Sequence, residues 1–377
     1  MWKATLRFFV DMFEEEDADF FQYDIAEFKA FFEQFMRTTA WPFLQYQRRH
    51  DEVQQQRTIA ACHDQCSWFL EHTGDFSVDV PRTFGRHRYV LHAFSGRRGV
   101  GDLQFFLERI AEGDQPYVLH IISLDIIIDQ TWGNVANAET RRFWLEAIRS
   151  RWIIAFIGGP PCETWSRVRA VNNSPTGSRA PRVICDCEHL WGYESVGLTE
   201  LQQLLVGNTL LGFSMEAMTE IAGVEGMGIL EHPAEPDDLP SAASIWRLPL
   251  MQWMLGLPGA TRLRFSQGLM GAPSPKPTDL LLINMDHLLL HLHRCRVRTE
   301  LPHGRAIGRD MHGHWRTAVL KEYPPSLCLA FARAILQGVD QRTIDPFAQE
   351  PSPDFMAKCS PMECTEFGCA IGRDFAG

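Results

Sequence analysis

The chain has 377 residues, ten of them cysteine, with 45% hydrophobic and 22% charged residues and a formal net charge of -11. This is the composition of a globular protein with one large or two ordinary domains. The acidic balance excludes a protein that coats nucleic acid non-specifically, though not one with a local basic groove. No apolar run reaches the length of a membrane span, and Glu14, Glu15, Glu16 and Asp17 follow the amino terminus at once, unlike a secretory signal. The expectation is an intracellular protein of nucleus or cytoplasm, not secreted and with no membrane partner. Its scattered thiols are expected to be reduced.

Residues 1–80 read as a helical extension, because Phe8, Phe9, Phe13, Phe20, Phe21, Phe28, Phe31, Phe32 and Phe35 recur at roughly helical spacing among acids. Cys62, His63 and Cys66 have a spacing that could begin a metal site, but no second pair follows, and no metal is expected.

From about residue 85 the pattern changes to alternating strands and helices. Arg88 to Ala93 predicts a strand, Phe94-Ser-Gly-Arg-Arg-Gly-Val-Gly-Asp102 a glycine-rich turn, and Leu103 to Glu112 a helix. Strand, bare turn and helix amino terminus together suit a nucleotide-like cofactor. Tyr117 to Leu124 predicts a second buried strand, ending at Asp125, whose carboxylate is placed to accept ribose hydroxyls. A turn over Trp132 to Val135, with Asn134, leads to a helix over Ala138 to Ser150. Ile153 to Ile157 is then an uninterrupted apolar run, closed by Gly158-Gly-Pro-Pro-Cys162. A cysteine just past the carboxyl end of a parallel strand is presented at the edge where such sheets place chemistry. The alternation predicts an α/β fold with a parallel sheet and right-handed crossovers.

After Ser166 a polar loop runs to Val196. Its Arg167, Arg169, Arg179 and Arg182 suit phosphate contacts, and its Cys185, Cys187 and His189 fall short of a metal site. Thr199 and Gln202 predict a capping box opening a helix to about Ala222. Ile229 to Pro233 reads as a brief strand that presents Glu231 at the same edge as Cys162. Ser244 to Leu255 predicts a helix, Thr261 to Ser266 and Leu280 to Asn284 two strands, and Leu327 to Gln337 a last helix. A basic insert spans 287–321, with Arg294, Arg296, Arg298, Arg305, Arg309, Arg316 and six histidines, and 338–377 reads as a loose tail.

In this order the pieces resemble the DNA cytosine-5 methyltransferase family over roughly residues 88–337. Gly158-Gly-Pro-Pro-Cys-Glu-Thr-Trp-Ser166 is close to that family's nucleophile loop, and Phe94-Ser-Gly-Arg-Arg-Gly-Val-Gly resembles its cofactor loop with an insertion. Glu231-His-Pro, Gly271-Ala-Pro-Ser with the following strand, and Tyr323-Pro-Pro-Ser-Leu are similar to its later segments. The resemblance implies a Rossmann-like S-adenosylmethionine-dependent methyltransferase sheet with helices on both faces. It implies Cys162 as nucleophile on cytosine carbon 6 and Glu231 at ring nitrogen 3. Phe94, Gly96, Gly99, Gly101, Asp125, Asn134 and Pro160 would line the cofactor, S-adenosylmethionine. Ser166, Arg167, Arg169 and Lys276 would touch the substrate, a nucleic acid, with DNA expected before RNA. The chain departs from the family at Asn134, where an Asp is usual, at His232 and Pro233, and at Pro275-Lys276-Pro277, where arginines would grip the substrate. The competing reading is a catalytically silent binding module of the same fold, within a larger nuclear or mobile-element protein.

Overall fold

The computed structural model describes residues 83–111, 116–171, 182–193, 195–303, 320–344, 348, 351–355 and 358–359. The extension over 1–80 with Cys62, His63 and Cys66 lies outside these residues, as do Arg179, Arg305, Arg309, Arg316, His312, His314, Cys364 and Cys369.

The four apolar runs become parallel strands: β2 (His87–Ala93), β3 (Val118–Leu124), β4 (Ile153–Gly158) and β5 (Met227–Pro233), after a two-residue β1 (Thr83–Phe84). The helices α1 (Leu103–Ile110), α2 (Ala138–Arg149) and α4 (Leu198–Gly223) make the crossovers, with a short α3 (Arg167–Val171) after β4. A late hairpin, β6 (Ala260–Ser266) and β7 (Pro277–Ile283), completes a six-stranded mixed sheet of order β3-β2-β4-β5-β7-β6, in which β7 is antiparallel to both its neighbours.

Side-chain alternation along the strands, interrupted where the β2–β4 register shifts at Ile154, sorts the core into two layers. Tyr89, Leu91 and Phe156 meet Trp144 and Ile148 of α2 and Leu211, Met215 and Met218 of α4. Val90, Ile154, Ile157 and Ile229 meet Leu103 and Leu107 of α1 and Leu327, Phe331 and Ile335 of α7 (Pro325–Asp340). Helices therefore cover both faces, and the strand interiors read as near-continuous apolar runs because neither face meets water. Among the described residues no helix is long and apolar enough to cross a membrane.

Three sequence expectations need correction. The capping box at Thr199 and Gln202 is not formed: the N-cap is Gly197, without a side-chain bond, so Thr199 sits in the first turn, where Glu200 complements the helix dipole. The helix expected over Ser244 to Leu255 is divided by Pro249, which lacks the N–H needed to continue a helix; a 3₁₀ turn, Ile245–Arg247, precedes α5 (Pro249–Leu255). The start of the basic insert is structured, because Leu288 and Leu292 of α6 (Leu288–Arg294) join the core under α7.

The tail is also not loose where it is described. Arg88 donates to the carbonyls of Gly85, Val339 and Arg342 at 3.3, 2.8 and 3.2 Å, fixing the end of α7, and β8 (Thr343–Ile344) then pairs with β1. Beyond it Phe355, 0% exposed, inserts between Tyr89, Phe143, Trp144 and Trp152, with ring centroids 5.0, 5.7, 6.2 and 4.9 Å away. One aromatic in a polar stretch is enough to anchor it, since a buried Phe removes a large apolar area from water. Phe355→Ala is expected to lower the unfolding free energy by about 3–5 kcal/mol, read by urea denaturation of the full chain.

Candidate functional site

The chain reverses its direction of travel across the sheet at β2: β3 lies on one side, β4 and β5 on the other. Such a switch point opens a crevice beyond the carboxyl ends of the strands. Two loops leave from its two banks, 94–102 after β2 and 159–166 after β4.

The first loop is built for close turns. Phe94, Gly96 and Gly101 have φ of 59°, 70° and 89°. Gly96 donates its N–H to Asp125 Oδ2 at 2.9 Å, and Asp125 Oδ1 accepts the N–H of Ile127 at 3.0 Å, so this carboxylate ties the loop to the end of β3. Gly133 approaches the Asp125 carbonyl too closely to bear a side chain, which sets half-buried Asn134 beside the same corner. Asp102 caps α1 by accepting from Phe105 N at 2.7 Å, and it also accepts from Gly99 N at 2.9 Å and from Arg98 at 2.7 and 3.1 Å. Burial opposes its charge, yet these donors hold the Asp102 carboxyl below its usual range. Space is open above Gly96 and Gly99, whereas Gly101 packs on Pro325. Phe94 meets Phe213 edge-on at 6.4 Å, and Pro160 is buried on the opposite bank.

On that bank Cys162 is half-buried, past the prolines that follow β4. Glu231 stands near the end of β5, 6% exposed. A buried carboxylate requires partners. Its Oε1 accepts from Gln267 Nε2 at 2.8 Å and lies 3.6 Å from Lys276 Nζ. Its Oε2 accepts no hydrogen bond among the described residues and faces Gly159, where an added Cβ would lie 3.5 Å away. The carboxylate is thus anchored by one oxygen and open by the other. Burial first, and then the negative charge of Glu231, push the Cys162 thiol up to about 11, against the opposing pull of Lys276. Sulfur and carboxylate occupy one rim of the crevice and feel each other electrostatically.

The other expected substrate residues have different employment. Arg169 is a correction: it is 8% exposed and donates to the carbonyls of Glu163 and Arg182 and to Gln203, at 2.6, 2.8 and 2.7 Å, so it staples the loop instead of presenting charge to phosphate. Arg167 is exposed and pairs with Asp238 at 2.7 Å. Ser166 accepts the Arg169 N–H through its carbonyl at 3.0 Å, starting α3. Lys276, with φ of 38°, turns inward to Glu231. Cys185 is buried with its thiol on the Thr164 carbonyl at 2.6 Å, and no metal-binding group of His, Cys, Asp and Glu forms among the described residues.

Three residues join the site without having been singled out for it. Gln267, 0% exposed, orients Glu231 and also donates to Thr278 at 3.1 Å. Tyr323, from the segment before α7, covers Gly159 with its hydroxyl. His92, inside β2, stacks on Tyr323 at 6.2 Å, and burial pushes its pKa down to about 4, so it is neutral. The signal for His92 was a polar residue inside an apolar strand. His232, one residue on from Glu231, projects to the opposite face against Trp165 at 6.0 Å.

The chain matches no protein-family model, no curated protein and no solved structure.

The charges around Cys162 give a signed test. At pH 8 about one thiol in a thousand is ionised, so iodoacetamide should label this residue slowly, with the rate rising as pH approaches 11. Glu231→Gln removes the anion that raises the thiol and should speed labelling by about ten-fold; Lys276→Met removes the cation that lowers it and should slow labelling. Mass spectrometry of the Cys162 peptide reads both.

Proposed function

We propose that this chain is a divergent S-adenosylmethionine-dependent cytosine-5 methyltransferase acting on nucleic acid, with DNA favoured over RNA. The observation that carries the reading is that Cys162 and Glu231 share the rim of a switch-point crevice, where the carboxylate acts electrostatically on the thiol and keeps one oxygen open. The sheet, four parallel strands closed by a late antiparallel pair, agrees with the Rossmann-like methyltransferase arrangement that the motifs imply.

The loops of the crevice support this choice of cofactor. Bare space lies above Gly96 and Gly99, and Nη1 of Arg98, in the loop between them, is buried with no acceptor among the described residues, as a site for an anionic ligand end would leave it. Phe94, Gly96, Gly99 and Gly101 would hold the methionine part, Asp125 the ribose, and Asn134 and Pro160 the adenine. When bound, S-adenosylmethionine supplies an electrophilic methyl group.

Every other part of the reaction falls to the chain's own residues. The thiol proton must leave before attack, and Glu231 Oε2 is an acceptor on the same rim. Transfer to it removes the charge that holds the thiol neutral and loads the oxygen that then faces ring nitrogen 3. The Cys162 thiolate pair forms a bond to carbon 6, and the carbon 5–carbon 6 π pair shifts onto carbon 5 and the ring nitrogen as Glu231 returns its proton. After carbon 5 takes the methyl group, its proton leaves to water, the carbon–sulfur bond breaks to release the thiolate, and the nitrogen 3 proton returns through Glu231 to restore the thiol. The target must be flipped out or single-stranded, since a loop cysteine cannot reach a stacked base.

The silent-module reading draws on one observation, the thiol held neutral up to about 11. A trap separates the two. With cofactor and an oligonucleotide carrying 5-fluorocytosine, the chain is expected to form a covalent adduct at Cys162, seen as a gel shift and located by mass spectrometry. Cys162→Ala should abolish it, and Glu231→Gln should slow it by about 10²–10⁴-fold. Cofactor binding by calorimetry without an adduct on any DNA or RNA would instead establish the silent module.

A further inference from the structure

Tyr323 carries a buried hydroxyl with no hydrogen-bond partner among the described residues. Its ring is held on three sides: His92 stacks at 6.2 Å with an interplanar angle of 18°, Phe331 meets it edge-on at 5.7 Å, and Lys276 Nζ lies 5.9 Å from its centroid. The hydroxyl is therefore aimed, and it is aimed at the crevice: a Cβ added to Gly159 would overlap it, and the same Cβ would stand 3.5 Å from Glu231 Oε2. Leaving a buried hydroxyl unpaired is costly, so a group fixed this firmly in an unpaired state is explained by an acceptor that arrives with a ligand. Burial, and then the charge of Glu231, push its ionisation well above the usual range, so it stays a donor.

A donor hydroxyl beside a carboxyl oxygen that carries the proton received from Cys162 matches the cytosine edge, where the carbonyl oxygen on carbon 2 and ring nitrogen 3 are adjacent acceptors. We propose that Tyr323 is a substrate-touching catalytic residue whose hydroxyl donates to the carbonyl oxygen on carbon 2 of the target pyrimidine, while Glu231 Oε2 takes the adjoining nitrogen edge. This rests on the methyl-transfer reading and gives it a specificity element. Attack at carbon 6 delocalises charge over nitrogen 3 and that carbonyl oxygen, so the bond strengthens as the adduct forms. It also fills the place left by the arginines absent from Pro275-Lys276-Pro277.

The test uses the full chain, cofactor and the 5-fluorocytosine oligonucleotide, comparing wild type with Tyr323→Phe, which keeps the ring contacts. Adduct formation is expected to slow by about 10²-fold. The thermal midpoint should stay the same or rise, because only an unpaired hydroxyl is lost, and Cys162 labelling at pH 9 should be unchanged. A second substrate with 2-thiocytosine at the target weakens the acceptor: the wild type should discriminate against it in methyl transfer, and Tyr323→Phe should lose that discrimination. An unchanged adduct rate in Tyr323→Phe, or discrimination that survives it, overturns the role of Tyr323 and leaves methyl transfer standing. No adduct from the wild type overturns both. A lowered thermal midpoint with intact discrimination marks a structural hydroxyl and likewise overturns the inference.

Discussion

The arrangement depends on a carboxylate kept out of water at the end of a parallel strand. Burying Glu231 is tolerable only if donors meet it, and the donors come from the antiparallel hairpin on the far side of the sheet. Gln267 follows β6 directly and Lys276 precedes β7, so pairing β7 against β5 brings both to Oε1. Gln267 is itself held by Thr278, and Lys276 is placed by a backbone with φ of 38°. The mixed character of the sheet is thus what orients one oxygen of Glu231 and leaves the other facing Gly159 and Tyr323.

A second buried carboxylate explains where the arginines of this hairpin went. Asp279 on β7 is 0% exposed and receives Arg262 Nη2 at 2.5 Å, Arg264 Nε at 2.8 Å and the Glu235 N–H at 3.3 Å. Burial opposes its charge, but these donors hold its carboxyl below the usual range. Arg262 also stacks on Trp246 at 4.6 Å and pairs with Glu235 at 3.2 Å. The network knits β6 and β7 to the segment after β5, and its cations are spent on internal anions. On this edge the hairpin supplies rigidity, while the rim beside Glu231 is left with the uncharged donor Gln267 and with Lys276.

The strands were legible because burial on both faces writes them as apolar runs: Ile153 to Ile157 and Tyr117 to Leu124 differ from the observed β4 and β3 by one residue at an end. Cys162 and Glu231 were legible because each closes such a run. Gln267 and Tyr323 were not, since their importance comes from strand pairing and from the return of the chain before α7, contacts that no local pattern encodes. Arg169 misled for a related reason: an arginine in a polar loop looks solvated until the carbonyls of Glu163 and Arg182 surround it. Phe355 misled in the opposite direction, as one aromatic among Pro, Ser and Asp gives no period, yet a single insertion fixes the segment.

Charge balance around the sulfur sets what the site can do at rest. A Cys162 thiolate would face the Glu231 carboxylate in a partly desolvated rim, with Lys276 the nearby cation that lowers its ionisation, and Lys276 is already engaged by Glu231 Oε1. Two anions and one shared cation are unfavourable there, so the sulfur keeps its proton. A thiol held up to about 11 is a poor target for oxidants and stray electrophiles, which react with thiolates. On the methyl-transfer reading, reactivity is switched on by moving the thiol proton to Glu231, and a base whose ring nitrogen accepts that proton from Glu231 gives it a place to go at the moment of attack. On that reading, the same geometry that makes Cys162 look inert in the free protein ties its activation to the arrival of a ring able to take up the proton that Glu231 receives from the thiol.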